Sequence, residues 1–366
     1  MKITKFFALL CAAAVGFVGC EQQTEPTPEP SGSITLSADT TAVSIGDTVT
    51  FTVTDSEGQD VTRAATIYDP DLNIVEDGKF TATVSGSFSF FAVVGSENSN
   101  YLTISVLAEA PKVPVDPQPE NLAFNHRALI VDHTGVGCGY CPVAMDELLA
   151  LSKTEWHSHY NEVTCHAGTY AGGDPANSAS ANMLNAFQTN YISGYPSIVV
   201  NFYTKCSDYG KNAMIRALQS VVKTEGADAG IALAVTGDNT NIYCTAQVKS
   251  AYAREYKINA WLLESGIYSP NQSGASKDYH KIYNYAIRNS SETLSRTDVA
   301  GVSIGTLEAG QTFEYAKAIP ITSTKWNWEN MGVLVIVSAK DGNNRWDVVN
   351  TAYCALGEEK AFEYIN

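Results

Sequence analysis

Two cysteines three residues apart, Cys138 and Cys141, stand where an apolar run gives way to a segment of helical spacing. The run ALIVD (128–132) reads as a strand buried on both faces, and PVAMDELLALSKTEW (142–156) as a helix entered at a proline. A thiol at a helix N-terminus faces unpaired backbone N–H groups and the positive end of the dipole, which can lower its pKa from ~8.5 to ~3.5–7.5. Cys138 is therefore the expected nucleophile. Cys141, one turn on, is placed to attack a mixed disulfide formed at Cys138 and release the partner reduced, which makes it the expected resolving thiol. Gly139 and Tyr140, between them, are expected to contact substrate. The same pair could instead be a closed structural disulfide or half of a zinc site. Zinc fits poorly, because a structural site needs four ligands and Cys165, Cys206, Cys244 and Cys354 are scattered. The reading requires neither a metal nor a bound cofactor.

The elements that must position these residues alternate. EVTCH (162–166) reads as a strand, 181–191 as a short helix, SIVVNF (197–202) as a strand and 212–224 as a helix, which predicts a βαβ-containing α/β domain over 122–227. Cys165 falls in its core. His133 and His166 fall at strand ends, where each could tune Cys138 or serve as a hydrogen-bonded structural histidine. From about 230 the strand rhythm returns, predicting a C-terminal β-sandwich over 228–366 in which Cys244 and Cys354 are candidates for a bridge. The stretch Tyr268 to Asn289, with His280, Arg288 and several tyrosines, reads as a cover over one end of that sandwich or as a recognition surface. Ahead of the central domain, short alternating runs over 33–108 predict a further β-sandwich. Proline-rich segments at 21–32 and 109–121 read as a tether and a linker.

The central segment resembles the thioredoxin superfamily. The resemblance rests on the order strand, CxxC, helix and later Pro-strand, on Asp132 six residues before Cys138, and on Tyr195-Pro196 directly before SIVVNF. It implies that Asp132 is a buried carboxylate handling the proton of the resolving thiol, and that Pro196 is cis and, with Tyr195, contacts substrate backbone. Gly137 departs from the pattern, which commonly has tryptophan there. Gly139-Tyr140 matches the dipeptide of some periplasmic disulfide isomerases. Residues 33–108 resemble bacterial immunoglobulin-like domains. Over a larger span the chain is similar to the outer-membrane lipoprotein family related to Omp28, through DHTGVGCGYCP, HAG, GYPS, YHKIYNYAIRN and WNWENMGVLVIVSAKDG. That similarity implies an outer-membrane lipoprotein of a family regarded as surface or adhesin-like, with a redox role inferred mainly from fold.

The first residues concern location. MKITKFF followed by ALLCAAAVGFV is a secretory signal too short to span a bilayer, and Phe17-Val18-Gly19-Cys20 resembles a lipobox, whose cysteine is acylated. Acyl chains on Cys20, at ~0.8 kcal/mol per buried CH₂, would anchor the chain without a spanning helix. A formal net charge of −16 excludes a broad basic surface for nucleic acid. The expected fold is multidomain, α/β plus all-β, with a central thioredoxin-like domain flanked by an immunoglobulin-like β-sandwich and a C-terminal β-sandwich. The expected function is thiol-disulfide exchange on protein or peptide disulfides outside the cytoplasm, by an outer-membrane lipoprotein facing the periplasm or the surface. The alternative is a surface binding or adhesion lipoprotein in which the central domain is scaffold. Whether the cysteine pair is accessible and reducible separates the two.

Overall fold

The computed structural model describes residues 30–365 apart from 45, 84–85 and 108–110. The signal segment, the acylation site expected at Cys20 and most of the tether lie outside the described residues.

Period-two alternation over 34–107 folds as short strands: β1 (Ile34–Ala38), β2 (Ala42–Ser44), β3 (Thr48–Asp55), β4 (Thr66–Tyr68), β5 (Lys79–Thr81), β6 (Gly86–Val94), β7 (Glu97–Asn98) and β8 (Leu102–Leu107). They form one sheet in the order β1-β3-β5 and another in the order β2-β8-β6-β4, with β7 on β6. In β3, TVTFTVTD turns Val49, Phe51 and Val53 inward, where they meet Phe90, Ile104 and Val106 of the other sheet. The proline-rich segment that follows is pinned to the body. Lys249, only 3% exposed, donates to Asp116 at 3.0 Å and to the Pro119 carbonyl, and the Tyr364 hydroxyl donates to Asp116 at 2.7 Å. Burying that ammonium requires such partners.

The body begins with β9 (Ala128–Thr134), followed by α1 (Cys141–Leu151), β10 (Tyr160–His166), α2 (Ala179–Phe187), β11 (Ser197–Val200), β12 (Thr204–Lys205) and α3 (Lys211–Val221). All seven residues of β9 are buried, as a near-continuous apolar run requires of a strand covered on both faces. Ala128 and Ile130 pack with Leu148 and Leu151 of α1 and Met214 and Leu218 of α3. Leu129 and Val131 pack on the other side with Ala181 and Leu184 of α2. β10 pairs parallel to β9, and β11 antiparallel, with Ser197 opposite His133.

The remaining strands are β13 (Ala229–Gly237), β14 (Asn241–Ser250), β15 (Arg254–Glu264), β16 (Ile267–Tyr268), β17 (Ile282–Tyr283), β18 (Ala286–Ser290), β19 (Val302–Leu307), β20 (Thr312–Pro320), β21 (Met331–Lys340), β22 (Trp346–Ala355) and β23 (Glu359–Lys360). Four of them form a sheet in the order β20-β14-β13-β23. The rest do not close a separate sandwich. β18 lies between β10 and β15, giving one sheet in the order β12-β11-β9-β10-β18-β15-β21-β22, with β19 on β15. The boundary expected at 227/228 therefore falls inside a single structural unit, because the α2-facing core runs on from Val131 and Val163 into Trp261, Leu263, Leu334 and Ile336. The protein is multidomain and mostly β with few helices.

The bridge expected between Cys244 and Cys354 is absent; both are buried free thiols. They sit on facing sheets, Cys244 on β14 and Cys354 on β22, inside one apolar cluster. Burial pushes the two thiols up, to about 12 and about 11.

A fragment of residues 122–227 would expose the apolar α2 face and the β10 edge, so it is expected to give neither dispersed amide resonances nor cooperative unfolding, whereas 111–365 melts in one transition. A cooperative melt of the short fragment would show that 122–227 is a domain in its own right.

Candidate functional site

The turn from β9 into α1 carries a Cys138–Cys141 disulfide, with the Cα atoms 5.5 Å apart. Cys141 is the first residue of α1, and Pro142 follows within its first turn, where a missing N–H costs nothing. Backbone bonds fix the approach. The Gly137 amide donates to the Tyr170 carbonyl at 2.9 Å, and the Val136 amide to Asp174 Oδ2 at 2.7 Å. Burial works against the Asp174 carboxylate, but hydrogen bonds from His166 and the Ala176 and Val136 amides hold it below its ordinary range. His166 Nδ1 lies 2.8 Å from the same oxygen, so this histidine acts on the turn through Asp174. His133 points to the other face, its Nε2 2.8 Å from Gln188 Oε1, and burial lowers its pKa to about 4, which keeps it neutral.

Residues named from sequence converge on this end of the sheet. The Tyr195-Pro196 peptide bond is cis, and the β9–β11 register brings Pro196 level with Thr134, just before the cysteine turn. The Tyr195 hydroxyl donates to Asn185 at 2.6 Å, and its ring packs edge-on to Tyr170. Asp132 occupies the α1 side of β9 and is 1% exposed, and its Oδ1 has no hydrogen-bond partner among the described residues. Burial, with the Glu162 charge adding to it, raises its pKa well above the carboxylate range. Gly139 and Tyr140 are exposed. Cys165 is core, its thiol donating to the Ala181 carbonyl at 3.1 Å.

The stretch 269–281 sits elsewhere than over a sandwich end. It lies across the cysteine turn as a strap. The Gln272 amide donates to the Cys138 carbonyl at 3.0 Å, the Ser273 amide to the Val136 carbonyl at 2.8 Å, and Tyr283 holds Gln272 Oε1 at 2.8 Å. Gly274 has φ +73° and packs so closely that a Cβ there would collide with the Gly139 carbonyl. The far end is clasped to α1: Lys277 Nζ at 2.7 Å, His280 Nε2 at 2.8 Å and the Tyr279 hydroxyl all bond Asp146, hydrogen bonds that hold this carboxylate far below its usual range. Under the strap Cys138 is 2% exposed and Cys141 fully buried. Sequence reasoning singled out the strap's histidine and tyrosines but missed Gln272 and Gly274; a solitary Gln or Gly in a loop carries no pattern.

Glu162 was also missed. It lies on the same face of β10 as Tyr160, Thr164 and His166, beside Asp132, and all of these line a cavity of about 590 Å³ between α1 and the strap. Burial raises its pKa to about 7.

The class defined by this fold is a multidomain, mostly β protein whose few helices flank a disulfide-bearing strand–turn–helix. Residues 184–360 match the family described as Outer membrane protein Omp28, a match that starts inside α2 and leaves out the cysteine turn. No match is found among curated proteins. Among solved structures, HBP35 of Porphyromonas gingivalis is 17% identical with a TM-score of 0.53, over 65% of this chain and 78% of that one, which makes the shared fold the extent of the likeness. Spo0M, a sporulation control protein from Bacillus subtilis, has a TM-score of 0.21 at 15% identity, over 38% and 51% of the two chains. A DUF4785 family protein from Legionella pneumophila has 0.19 at 8%, over 87% and 56%. Neither of these two bears on the fold.

An acid whose pKa is higher in the folded than in the unfolded chain binds more protons when folded, so stability is lost as pH rises from the unfolded value, 4.5, to the folded value near 7. Glu162→Gln removes that loss. The variant is expected to melt several degrees above wild type at pH 8 and close to it at pH 4; equal melting temperatures at both would place Glu162 in contact with bulk water.

Proposed function

We propose that this protein is a thiol-disulfide oxidoreductase of the cell envelope, with a thioredoxin-like redox centre at Cys138 and Cys141, acting on protein or peptide disulfides. The observation that carries the reading is the disulfide at the head of α1, with Asp132 on the α1 side of the same strand and Pro196 at the same end of the sheet. In the reduced protein, the Cys138 thiolate attacks one sulfur of a substrate disulfide, forming a mixed disulfide and expelling the other sulfur as thiolate. The Cys141 thiol gives its proton to Asp132 and attacks Cys138, releasing the second substrate thiolate and closing the Cys138–Cys141 bond. Two electrons pass from the protein to the substrate, and the reverse sequence oxidises a dithiol. Gly139, Tyr140 and the Tyr195-Pro196 backbone supply the docking surface. The match to Outer membrane protein Omp28 supports an envelope location, and the lipobox-like sequence at Cys20 supports a lipid anchor.

A second reading is favoured by one observation, the near-complete burial of Cys138 beneath the strap. It is a surface binding or adhesion lipoprotein in which the disulfide staples the turn and the immunoglobulin-like N-terminal module and the β-rich body make the contacts.

A glutathione redox titration with thiol trapping, on wild type and Cys141→Ser, decides between them. Reversible titration, with the variant accumulating mixed disulfide at Cys138, is the oxidoreductase outcome; cysteines that resist reduction until the protein unfolds leave the binding reading. If the strap gates the disulfide, Asp146→Asn, which loosens its clasp on α1, is expected to speed reduction by dithiothreitol severalfold while leaving the melting temperature within a few degrees. An unchanged rate would mean that the strap does not limit access.

A further inference from the structure

The cavity between α1 and the strap is in the size range, ~300–1,000 Å³, of sites that enclose small molecules. Its chemistry is lopsided. One wall is apolar, built from Met145, Leu148 and Leu149 of α1 and Ile282 of the strap's stem. The opposite wall carries two carboxyl groups on neighbouring strands, Asp132 and Glu162, and neither has an ion-pair or hydrogen-bond partner of basic character among the described residues. Asp132 Oδ1 and the Tyr160 hydroxyl are buried polar atoms with no partner among the described residues, and both groups line this space. A buried carboxyl without a donor is destabilising, so Asp132, with the half-buried Glu162 beside it facing the same open-mouthed space, calls for a donor from outside the chain. The rings of Tyr160, Tyr285 and Tyr353 line the same wall, and aromatic faces attract cations. No group of three or more metal-ligating side chains forms among the described residues, and the apolar wall suits an organic body better than a bare ion.

We propose that this cavity binds a small organic cation with an apolar body, an aryl- or alkyl-ammonium, whose charged end lies between Asp132 and Glu162 and whose body rests on Met145, Leu148 and Ile282. The two carboxyls accept the ammonium hydrogens, and the tyrosine faces shield the charge from water. The site stands whether or not the disulfide turns over, since no sulfur chemistry is involved.

The test uses the full soluble chain with 2-phenylethylammonium as probe, against 2-phenylethanol and 3-phenylpropionate as neutral and anionic counterparts of similar size. Binding is read by saturation-transfer NMR and by the shift in melting temperature. The expected result is cation binding at least tenfold tighter than that of the alcohol, none of the carboxylate, and a loss of tenfold or more in Glu162→Gln, which folds as judged by its melting curve. Asp132→Asn is expected to weaken binding in the same direction, and Cys138→Ser/Cys141→Ser to bind as wild type does, which separates this site from the redox reading. Equal affinity for the alcohol, cation binding untouched by Glu162→Gln, or no cation binding at millimolar concentration would each overturn the proposal.

Discussion

The pairing of β18 with β10 is the interaction on which the rest of the body depends. The registered contact is short, Thr164 opposite Ala286, but it is reinforced on both sides: the Thr164 amide donates to the Tyr285 carbonyl at 2.9 Å and its hydroxyl to the Asn284 carbonyl at 2.8 Å. Ser178, the N-cap of α2, donates its hydroxyl to the Ile287 carbonyl at 2.6 Å and accepts from the Ala181 amide. Remove this seam and the α/β half and the β half are two pieces, each with an open sheet edge and an uncovered apolar face. The seam also sets the strap, because the chain reaching β18 must first cross the cysteine turn.

Burial works in opposite directions on the two sides of β9. On the α2 side, His133 and Cys165 are made inert: the histidine is kept neutral by desolvation, and the thiol is pushed far from ionisation. On the α1 side the same desolvation raises Asp132 well above the carboxylate range and Glu162 to about 7, which makes each a better proton acceptor than a carboxylate in water and sensitive to an arriving charge. The β9–β10 pair thus separates a silent face from a responsive one, and the alternation of side chains along the two paired strands is all that assigns residues to each.

Much of the local structure was legible in the sequence, and the reasons are physical. ALIVD could only be a strand with both faces covered, and Pro142 after Cys141 marked the helix start, which the structure places at Cys141. The strand after Pro196 followed from its β-branched run, and the N-terminal alternation from its period of two. The junction was not legible, because AIRNS is a short, mixed segment whose place between β10 and β15 is decided by tertiary pairing rather than by its own pattern. The mistaken Cys244–Cys354 bridge has a related cause: two cysteines on buried strands look alike whether the strands face each other closely or across a core. Glu162 was read only as part of a strand, since nothing local tells a carboxyl in a cavity from one in water.

The strap rises from a paired base. Ile267 faces Tyr283 and Tyr268 faces Ile282, and the Ser269 amide donates to the Lys281 carbonyl at 2.8 Å. The segment beyond that base is a short loop whose ends are already held together, so releasing and reseating its tip forfeits little chain entropy, far less than swinging free an arm tied at one end. Such a cover is confined to the neighbourhood of the turn, and the surface it presents beside Gly139 is positioned together with the turn it shields.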